Sequence, residues 1–147
     1  MKFRILLCAA ALAVSGTFAG AADEPQVIRQ EMMKKVGGAV GALSKVVKGE
    51  TPYDSAAVLA QLQAISDTMA TFADQFPAGS ETGMDSEAAP AIWENPEDFR
   101  AKADKLKADA DAAIAAAPAD AAALGALFGP IAQNCGACHQ TYRLKNG

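Results

Sequence analysis

Apolar side chains recur at alternating steps of four and three residues along most of this chain, which is the spacing of one face of an α-helix. No stretch shows the apolar–polar alternation of a half-buried strand. Alanine, a strong helix former, supplies much of the 51% apolar content. The clearest helical run consists of Val58, Leu62, Ile65, Met69, Phe72 and Phe76. The spacing therefore predicts an all-α protein.

Proline and turn-forming residues divide the apolar pattern into four helical blocks. The first block runs from about 25 to 48. The second starts at the predicted N-cap Asp54 and stops at Pro77, so it includes Phe76. The third spans 95–118, and the fourth begins near 120. Pro130 lies inside the fourth block and predicts either a kink or a later start of that helix.

The connections between these blocks favour a particular architecture. Residues 77–91 form one long link rich in glycine, serine, proline and acidic residues, and long links in small domains are often functional or crossovers. Asn95 is predicted to cap the third helix, with Pro96 at its first position. The other links are short. Four amphipathic helices joined in this way predict an antiparallel four-helix bundle.

The first residues have the composition of a secretion signal. Lys2 and Arg4 precede an apolar run, 5–14, that is too short to form a stable membrane anchor, and small residues follow it. We predict a signal peptide over 1–21, cleaved after residue 21 or one residue later, and a mature domain over 22–147. An uncleaved N-terminal anchor is the alternative. Export places the mature chain in the periplasm without a membrane span.

Cys135, Cys138 and His139 form the pattern C-x-x-C-H, which is the attachment signature of a c-type haem. On a helix these residues are three and four positions apart, so all three share one face. Two thiols can then add to the two vinyl groups while the imidazole reaches the iron. His139 is the one histidine of the chain. The motif predicts one covalent haem c, bound near the C-terminal helix, with His139 as metal ligand.

Three other interpretations of the cysteine pair are weaker. A thioredoxin-like site needs a strand before the pair, and the pair must open a helix. A structural zinc site needs a fourth cysteine or histidine, which the mature chain lacks. A disulfide between residues three apart on a helix is strained. Because only 140–147 follow the motif, a sixth iron ligand would have to come from an upstream helix.

With these residues the whole mature chain resembles the class II cytochromes c, and within them the cytochrome c′ group, whose members are four-helix bundles. C-x-x-C-H is the one sharp motif, and the other marks support it jointly. They are Arg29 and Met33 in the first block, Lys48-Gly49-Glu50 and Pro52-Tyr53-Asp54 at the first turn, Phe76-Pro77 and Gly79-Ser80-Glu81 in the long link, Ile92-Trp93, and 135–143.

The resemblance implies a role for several side chains around the haem. Cys135 and Cys138 form the thioethers, and His139 is the proximal ligand. The remaining expectations place Arg29 at a haem propionate with Gln30 beside it, Met33 over the distal face, Ser80 and Glu81 at the haem edge, Trp93 near the macrocycle, and Arg143 near His139. A plainer interpretation stays open for each of these residues. Arg29 is then a solvated charge, Trp93 is a core residue, and Ser80 and Glu81 are turn residues.

The resemblance also implies a function, which is electron transfer or the binding of nitric oxide and carbon monoxide at a five-coordinate iron. We expect Met33 to shield the iron without binding it. The alternative is a pure electron carrier with Met33 as sixth ligand. A peroxidase would need a distal acid–base pair, which the sequence does not offer, so no enzyme activity is expected.

Two kinds of macromolecular partner follow from the sequence and the resemblance. The expected partners are redox proteins and a second copy of the chain, paired through its first two helices. We expect Val46 and Val47 to be exposed enough to take part in such a homodimer interface. The net charge of −4 argues against nucleic acid, because phosphate binding needs a basic face.

Overall fold

The computed structural model describes residues 24–144, so the predicted signal peptide lies outside the described part of the chain. Within 24–144 the chain forms no strand, and its one β-bridge pairs Ala88 with Arg143. The all-α prediction is confirmed. The helices are α1 (Pro25–Val47), α2 (Ser55–Phe72), a 3-10 turn (Ala73–Gln75), α3 (Ala91–Glu94), α4 (Pro96–Ala116) and α5 (Ala121–Tyr142).

The four long helices pack in a ring in which α1 contacts α2, α2 contacts α4, α4 contacts α5, and α5 returns to α1. The turns after α1 and after α4 meet at one end, where the Tyr53 hydroxyl donates to the carbonyl oxygen of Pro118. Successive long helices therefore run in opposite directions, and the predicted four-helix bundle is confirmed. Its fully buried centre includes Leu43, Leu62, Ile65, Leu124 and Ile131.

Two helices begin where an aspartate caps them. The Asp54 carboxylate accepts a hydrogen bond from the Ala57 amide at 2.7 Å, and the Asp120 carboxylate accepts one from Ala123 at 2.8 Å. Asn95 stands at the predicted N-cap position of α4, but its side chain does not cap that helix. Its amide nitrogen instead donates to the Ala91 carbonyl oxygen at 3.4 Å. A cap needs the side-chain oxygen as acceptor for an amide of the first turn of α4, and the Asn95 side chain, which reaches back to α3, makes no such bond.

The structure corrects two predictions about where helices end or begin. Helix α2 ends at Phe72, so Phe76 is not part of it. The chain leaves the helix axis before Pro77, whose ring disfavours helical backbone at Phe76. The Phe76 ring then turns back against Phe99, with ring centroids 4.7 Å apart. A later start of α5 is also wrong, because this helix runs continuously through the exposed Pro130.

Helices α1 and α5 are neighbours that pack directly near the C-terminal end of α1, which we call the closed end. A Cβ atom built on Gly125 of α5 would lie 3.5 Å from Cγ1 of Val47. Val46 is only 8% exposed and belongs to the core. The expectation that Val46 stays exposed is therefore corrected, whereas Val47 is half-buried and packs against the edge of the core. Among residues 24–144, no helix has the length and apolar character needed to cross a membrane.

Candidate functional site

Opposite the closed end, a cavity of about 790 Å³ opens among the four long helices. That volume lies within the roughly 300–1,000 Å³ of ordinary ligand pockets. Residues from α1, α2, α4 and α5 line it, and the link before α3 closes one side. We call residues 77–90 of that link the strap. Part of the strap, from Asp85 to Ala88, lines the cavity.

The α5 wall of the cavity carries the C-x-x-C-H residues. Cys135, Cys138 and His139 all line it, as their spacing on one helical face requires. Both cysteines are unpaired and partly buried. Burial raises the pKa of each thiol above its usual value. The two thiols thus stand in their neutral, protonated form beside a space large enough for a cofactor.

His139 has a pKa below its ordinary value, first because of burial and then because of the positive charge of Arg143, while Glu87 acts in the opposite direction. The imidazole is therefore neutral at physiological pH, which is the form that binds a metal. Arg143 itself is held by Glu87, whose Oε2 lies 2.6 Å from both Nε and Nη2 of the arginine. The expected neighbourhood of His139 and Arg143 is present in the structure.

The apolar part of the α1 wall of the cavity lies between Met33 and Val40. Met33, Val36, Gly37 and Val40 line it, whereas the adjacent Met32 packs on the core without lining the cavity. A Cβ atom on Gly37 would meet nothing within 4 Å, so this glycine leaves open space beside Met33. Further apolar lining comes from Met69, Phe72, Phe76, Ile92, Phe99, Ala103 and Leu106.

Arg29 also lines the cavity, but its hydrogen bonds go to the protein. Its Nη2 donates to the Ser80 carbonyl oxygen at 2.7 Å, and its Nη1 donates to Ser80 Oγ at 3.0 Å and to Gln75 O at 3.3 Å. The guanidinium carbon lies 4.5 Å from the centre of the Phe76 ring. Burial lowers the pKa of Arg29. Both terminal nitrogens of the guanidinium thus bond to the protein, mainly to Ser80 of the strap, and a contact with a propionate stays a prediction.

Three residues expected near the haem do not line the cavity. Ser80 is 4% exposed and is buried under Arg29. Glu81 accepts a hydrogen bond from the Gly79 amide at 3.0 Å, which is an interaction within the strap. Trp93 stands behind Phe76, with ring centroids 5.8 Å apart. The structure brings the other candidates together, namely Arg29, Gln30, Met33, Cys135, Cys138, His139 and Arg143.

Several residues that the sequence analysis did not single out also belong to the cavity wall, among them Gln26, Lys34, Lys102 and Tyr142. Gln26 lies one helical turn before Gln30, so helical spacing alone could have identified it. Its Oε1 is buried without a hydrogen-bond partner in the protein. A bound group or a water molecule commonly completes such an atom. Lys34 and Lys102 could be assigned to the cavity wall only from the packing of α1 and α4.

These residues fit a covalently bound haem. The two thiols and the imidazole lie on one wall, and apolar side chains cover most of the remaining surface. The lining also includes four cationic side chains, Arg29, Lys34, Lys102 and Arg143, which can balance two propionate charges. Cys135 and Cys138 would hold the haem through thioethers, and His139 would bind its iron. The fold and the site together define a four-helix-bundle c-type cytochrome.

Comparison with known proteins shows the family directly. The model of the cytochrome C′ family matches residues 24–143, and the chain belongs to this family. It is 56% identical to cytochrome c-556 of Agrobacterium tumefaciens (strain II Chrys) over 117 residues, which cover 80% of this chain and 94% of the relative. Membership establishes a haem protein of electron transfer that carries covalent haem c.

Solved structures agree with the family assignment. Cytochrome c′ from Rhodopseudomonas palustris superposes with a TM-score of 0.81 at 35% identity, covering 86% of this chain and all of that chain. A nitric oxide complex of a variant of cytochrome c prime from Alcaligenes xylosoxidans superposes with a TM-score of 0.72 at 31% identity, covering 84% of this chain and 98% of that one.

Proposed function

We propose that this chain is an exported electron carrier in which Met33 supplies the sixth ligand of the haem iron. The observation that carries this proposal is the position of Met33, a thioether in the wall of the cavity that His139 also lines. The 56% identical relative bears the name cytochrome c-556, whereas the Rhodopseudomonas palustris protein named cytochrome c′ is 36% identical. This difference in identity favours ligation by Met33 over an open sixth position.

The side chains of this protein would tune a one-electron site. When bound, the haem supplies the change between ferric and ferrous iron, and methionine–histidine ligation raises its reduction potential. Val36, Val40 and Leu106 exclude water from the site and lower its local dielectric constant. Burial and Arg143 keep His139 neutral and able to bind the iron. The positively charged side chains that line the cavity would offset the negative charge of the haem propionates.

A second candidate function is gas binding at an open sixth position, with Met33 acting only as a shield. The apolar part of the α1 wall, with Val36 and Val40, and the space beside Gly37 favour small uncharged molecules such as nitric oxide and carbon monoxide. The Alcaligenes xylosoxidans relative whose structure is a nitric oxide complex also favours this candidate. The five-coordinate iron expected from the sequence stays a prediction.

Absorption spectra of the purified protein decide between the two candidates. With Met33 as ligand, the ferric protein is low-spin and shows a sulfur-to-iron band in the near infrared. Met33→Ala removes this band, and the ferrous variant binds carbon monoxide faster than the wild type. Met32→Ala is the matched control, because Met32 does not line the cavity. A high-spin ferric wild type that binds carbon monoxide directly would contradict the proposal and favour the gas-binding candidate.

We also propose export to the periplasm, interaction with redox proteins, and a homodimer through α1 and α2. The composition of residues 1–21 supports export, and mass spectrometry of the exported protein tests it by locating the new N-terminus. The homodimer stays a prediction of the family resemblance. Its interface must use side chains other than Val46, which is buried inside the bundle.

A further inference from the structure

The two residues proposed as axial ligands lie on different helices, Met33 on α1 and His139 on α5. At the closed end these helices contact each other where Gly125 approaches Val47. At the other end the cavity lies between them, and both of its walls carry ligand residues. The distance between the ligands therefore depends on whatever joins α1 to α5 across the cavity end.

The strap makes that connection, and its first half is bound to α1. Arg29 donates to the Ser80 carbonyl oxygen and hydroxyl at 2.7 and 3.0 Å. On the same face of α1, Gln26 Nε2 donates to Thr82 O at 2.8 Å, and Gln30 Nε2 donates to Met84 O at 2.6 Å. Both hydrogen bonds between Arg29 and Ser80 are buried, so their loss would leave unpaired polar atoms away from water.

The second half of the strap is bound to the end of α5. Glu87 Oε2 lies 2.6 Å from Nη2 of Arg143, which follows His139 by one helical turn. The Ala89 amide donates to the Tyr142 carbonyl oxygen at 3.0 Å, and the Leu144 amide donates to the Glu87 carbonyl oxygen at 2.8 Å. The strap is thus fixed to both helices within one or two turns of the proposed ligands.

We propose that Arg29, Ser80 and Glu87 are positioning residues, which hold α1 and α5 through the strap at the separation that lets Met33 and His139 bind one iron. This inference rests on the proposed ligation by Met33. A thioether is a weak ligand that an exogenous ligand can replace once its helix is free to move. The strap would thereby decide whether the sixth position stays closed.

The two halves of the strap should contribute unequally. The hydrogen bonds between Arg29 and Ser80 are buried. The side chains of Arg143 and Glu87 are 52% and 36% exposed, so solvent and salt screen their ion pair. Removing the Ser80 hydroxyl keeps the bond from Arg29 to the Ser80 carbonyl oxygen but breaks the buried bond to Oγ, and it should weaken ligation by Met33 more than removing the screened Glu87 charge. Added salt should reproduce part of the effect of the Glu87 substitution.

The test measures the near-infrared band of the ferric holoprotein and the rate of carbon monoxide binding to the ferrous holoprotein. Ser80→Ala should weaken the band and speed the binding, and Glu87→Gln should do the same to a smaller extent. Arg100→Gln is the control, because Arg100 loses an ion pair of similar length, 2.7 Å to Asp74, that does not involve the strap. Ser80→Ala avoids the folding risk of removing the buried Arg29 itself.

A background without the ligand separates positioning from general loosening. When the Met33→Ala variant is the background, adding Ser80→Ala or Glu87→Gln should no longer change the rate of carbon monoxide binding, because the ligand that Ser80 and Glu87 position is absent. Equal acceleration in both backgrounds, or an unchanged band in the single variants, would overturn the proposal. A wild type without the near-infrared band would instead show that Met33 is not a ligand, which is the failure of the proposed function.

Discussion

The two ends of the α1–α5 pair are held together by different kinds of interaction. At the closed end, Val47 lies against Gly125, and Val46 and Leu124 are buried nearby in the same apolar core. At the cavity end the helices do not fill the space between them, and the strap joins them through hydrogen bonds and an ion pair. One end is a packed core, whereas the other is a frame around a cofactor.

This difference shows where the fold depends on its haem. Apolar packing at the closed end needs no other component, because the helices cover each other. The cavity end exposes the rings and aliphatic chains of its walls whenever the cofactor is missing. Stability at that end therefore depends on the haem, which covers these walls in the folded state, whereas in the unfolded chain it stays attached by its thioethers and leaves the apolar surface in water.

The largest expected effect is the loss of haem attachment in a Cys135→Ala, Cys138→Ala double variant. Acid–acetone should extract pigment from the variant but leave it bound to the wild-type polypeptide. The haem-free chain should lose at least about 3–5 kcal/mol of its free energy of unfolding, the cost of deleting one large buried aromatic side chain from a core. Circular dichroism melts measure this loss.

Hydrogen exchange on the same double variant sharpens the comparison of the two ends. Amides that join the strap to α5, such as those of Ala89 and Leu144, should exchange much faster than in the holoprotein. Amides in the helical core around Val46 should keep more of their protection. A melt equal to that of the holoprotein, or equal losses of protection at both ends, would contradict this interpretation.

A smaller effect is expected from the tyrosine at the cavity end. The Asp98 carboxylate accepts the hydrogen bond of Tyr142 and raises the pKa of this phenol to about 12. Because the folded state retains this proton more tightly than the unfolded chain, the stabilisation is complete below about pH 10 and is lost as the pH rises toward 12. Tyr142→Phe should remove this alkaline loss in denaturant titrations.

The tyrosine at the closed end provides the matched control. Tyr53 donates to the carbonyl oxygen of Pro118, so Tyr53→Phe removes a hydroxyl and its hydrogen bond without touching the cavity. This variant should keep the loss of stability between pH 10 and 12. If Tyr142→Phe and the wild type lost stability in parallel over that range, the hydrogen bond between Tyr142 and Asp98 would not be its source.

The smallest expected effects compare two helical glycines, one at each end. Gly125→Ala at the closed end should raise the free energy of unfolding by about 0.5–1 kcal/mol through helix propensity, since its new Cβ meets Val47 at ordinary contact distance. Gly37→Ala should give a similar gain and also narrow the space beside Met33, which slows carbon monoxide binding. Equal binding rates in the two variants would show that Gly37 does not border the ligand path.

Much of the fold followed from local sequence signals. Asp54 and Asp120 mark the starts of α2 and α5 because their carboxylates satisfy amides in the first helical turn. The C-x-x-C-H spacing placed Cys135, Cys138 and His139 on one wall of the cavity, since residues three and four apart share a helical face. These predictions depend on neighbours within four positions along the chain.

The failed or incomplete predictions depend on packing that helical spacing does not reveal. Phe76 leaves α2 ahead of Pro77, and its ring packs against Phe99, which lies 23 positions further along the chain. The side chain of Asn95 reaches back to the preceding short helix, where its amide nitrogen donates to the Ala91 carbonyl oxygen, and it does not cap α4. Ser80 is a buried acceptor for Arg29 and not part of the cavity wall. Phe99 and Arg29 lie far from these residues along the chain, so neither contact is visible in the local pattern.

The sequence by itself determined the helices, the bundle and the residues that attach haem, because helical periodicity and the motif are properties of short segments. The tertiary structure alone decided which residues of the α1–α5 pair pack directly and which are joined through the strap. It brought Met33 and His139 to one cavity and bound Arg29 to Ser80, which is 51 positions away. Contacts over such separations depend on how whole helices pack, and so they could not be predicted from the spacing of residues within one helix.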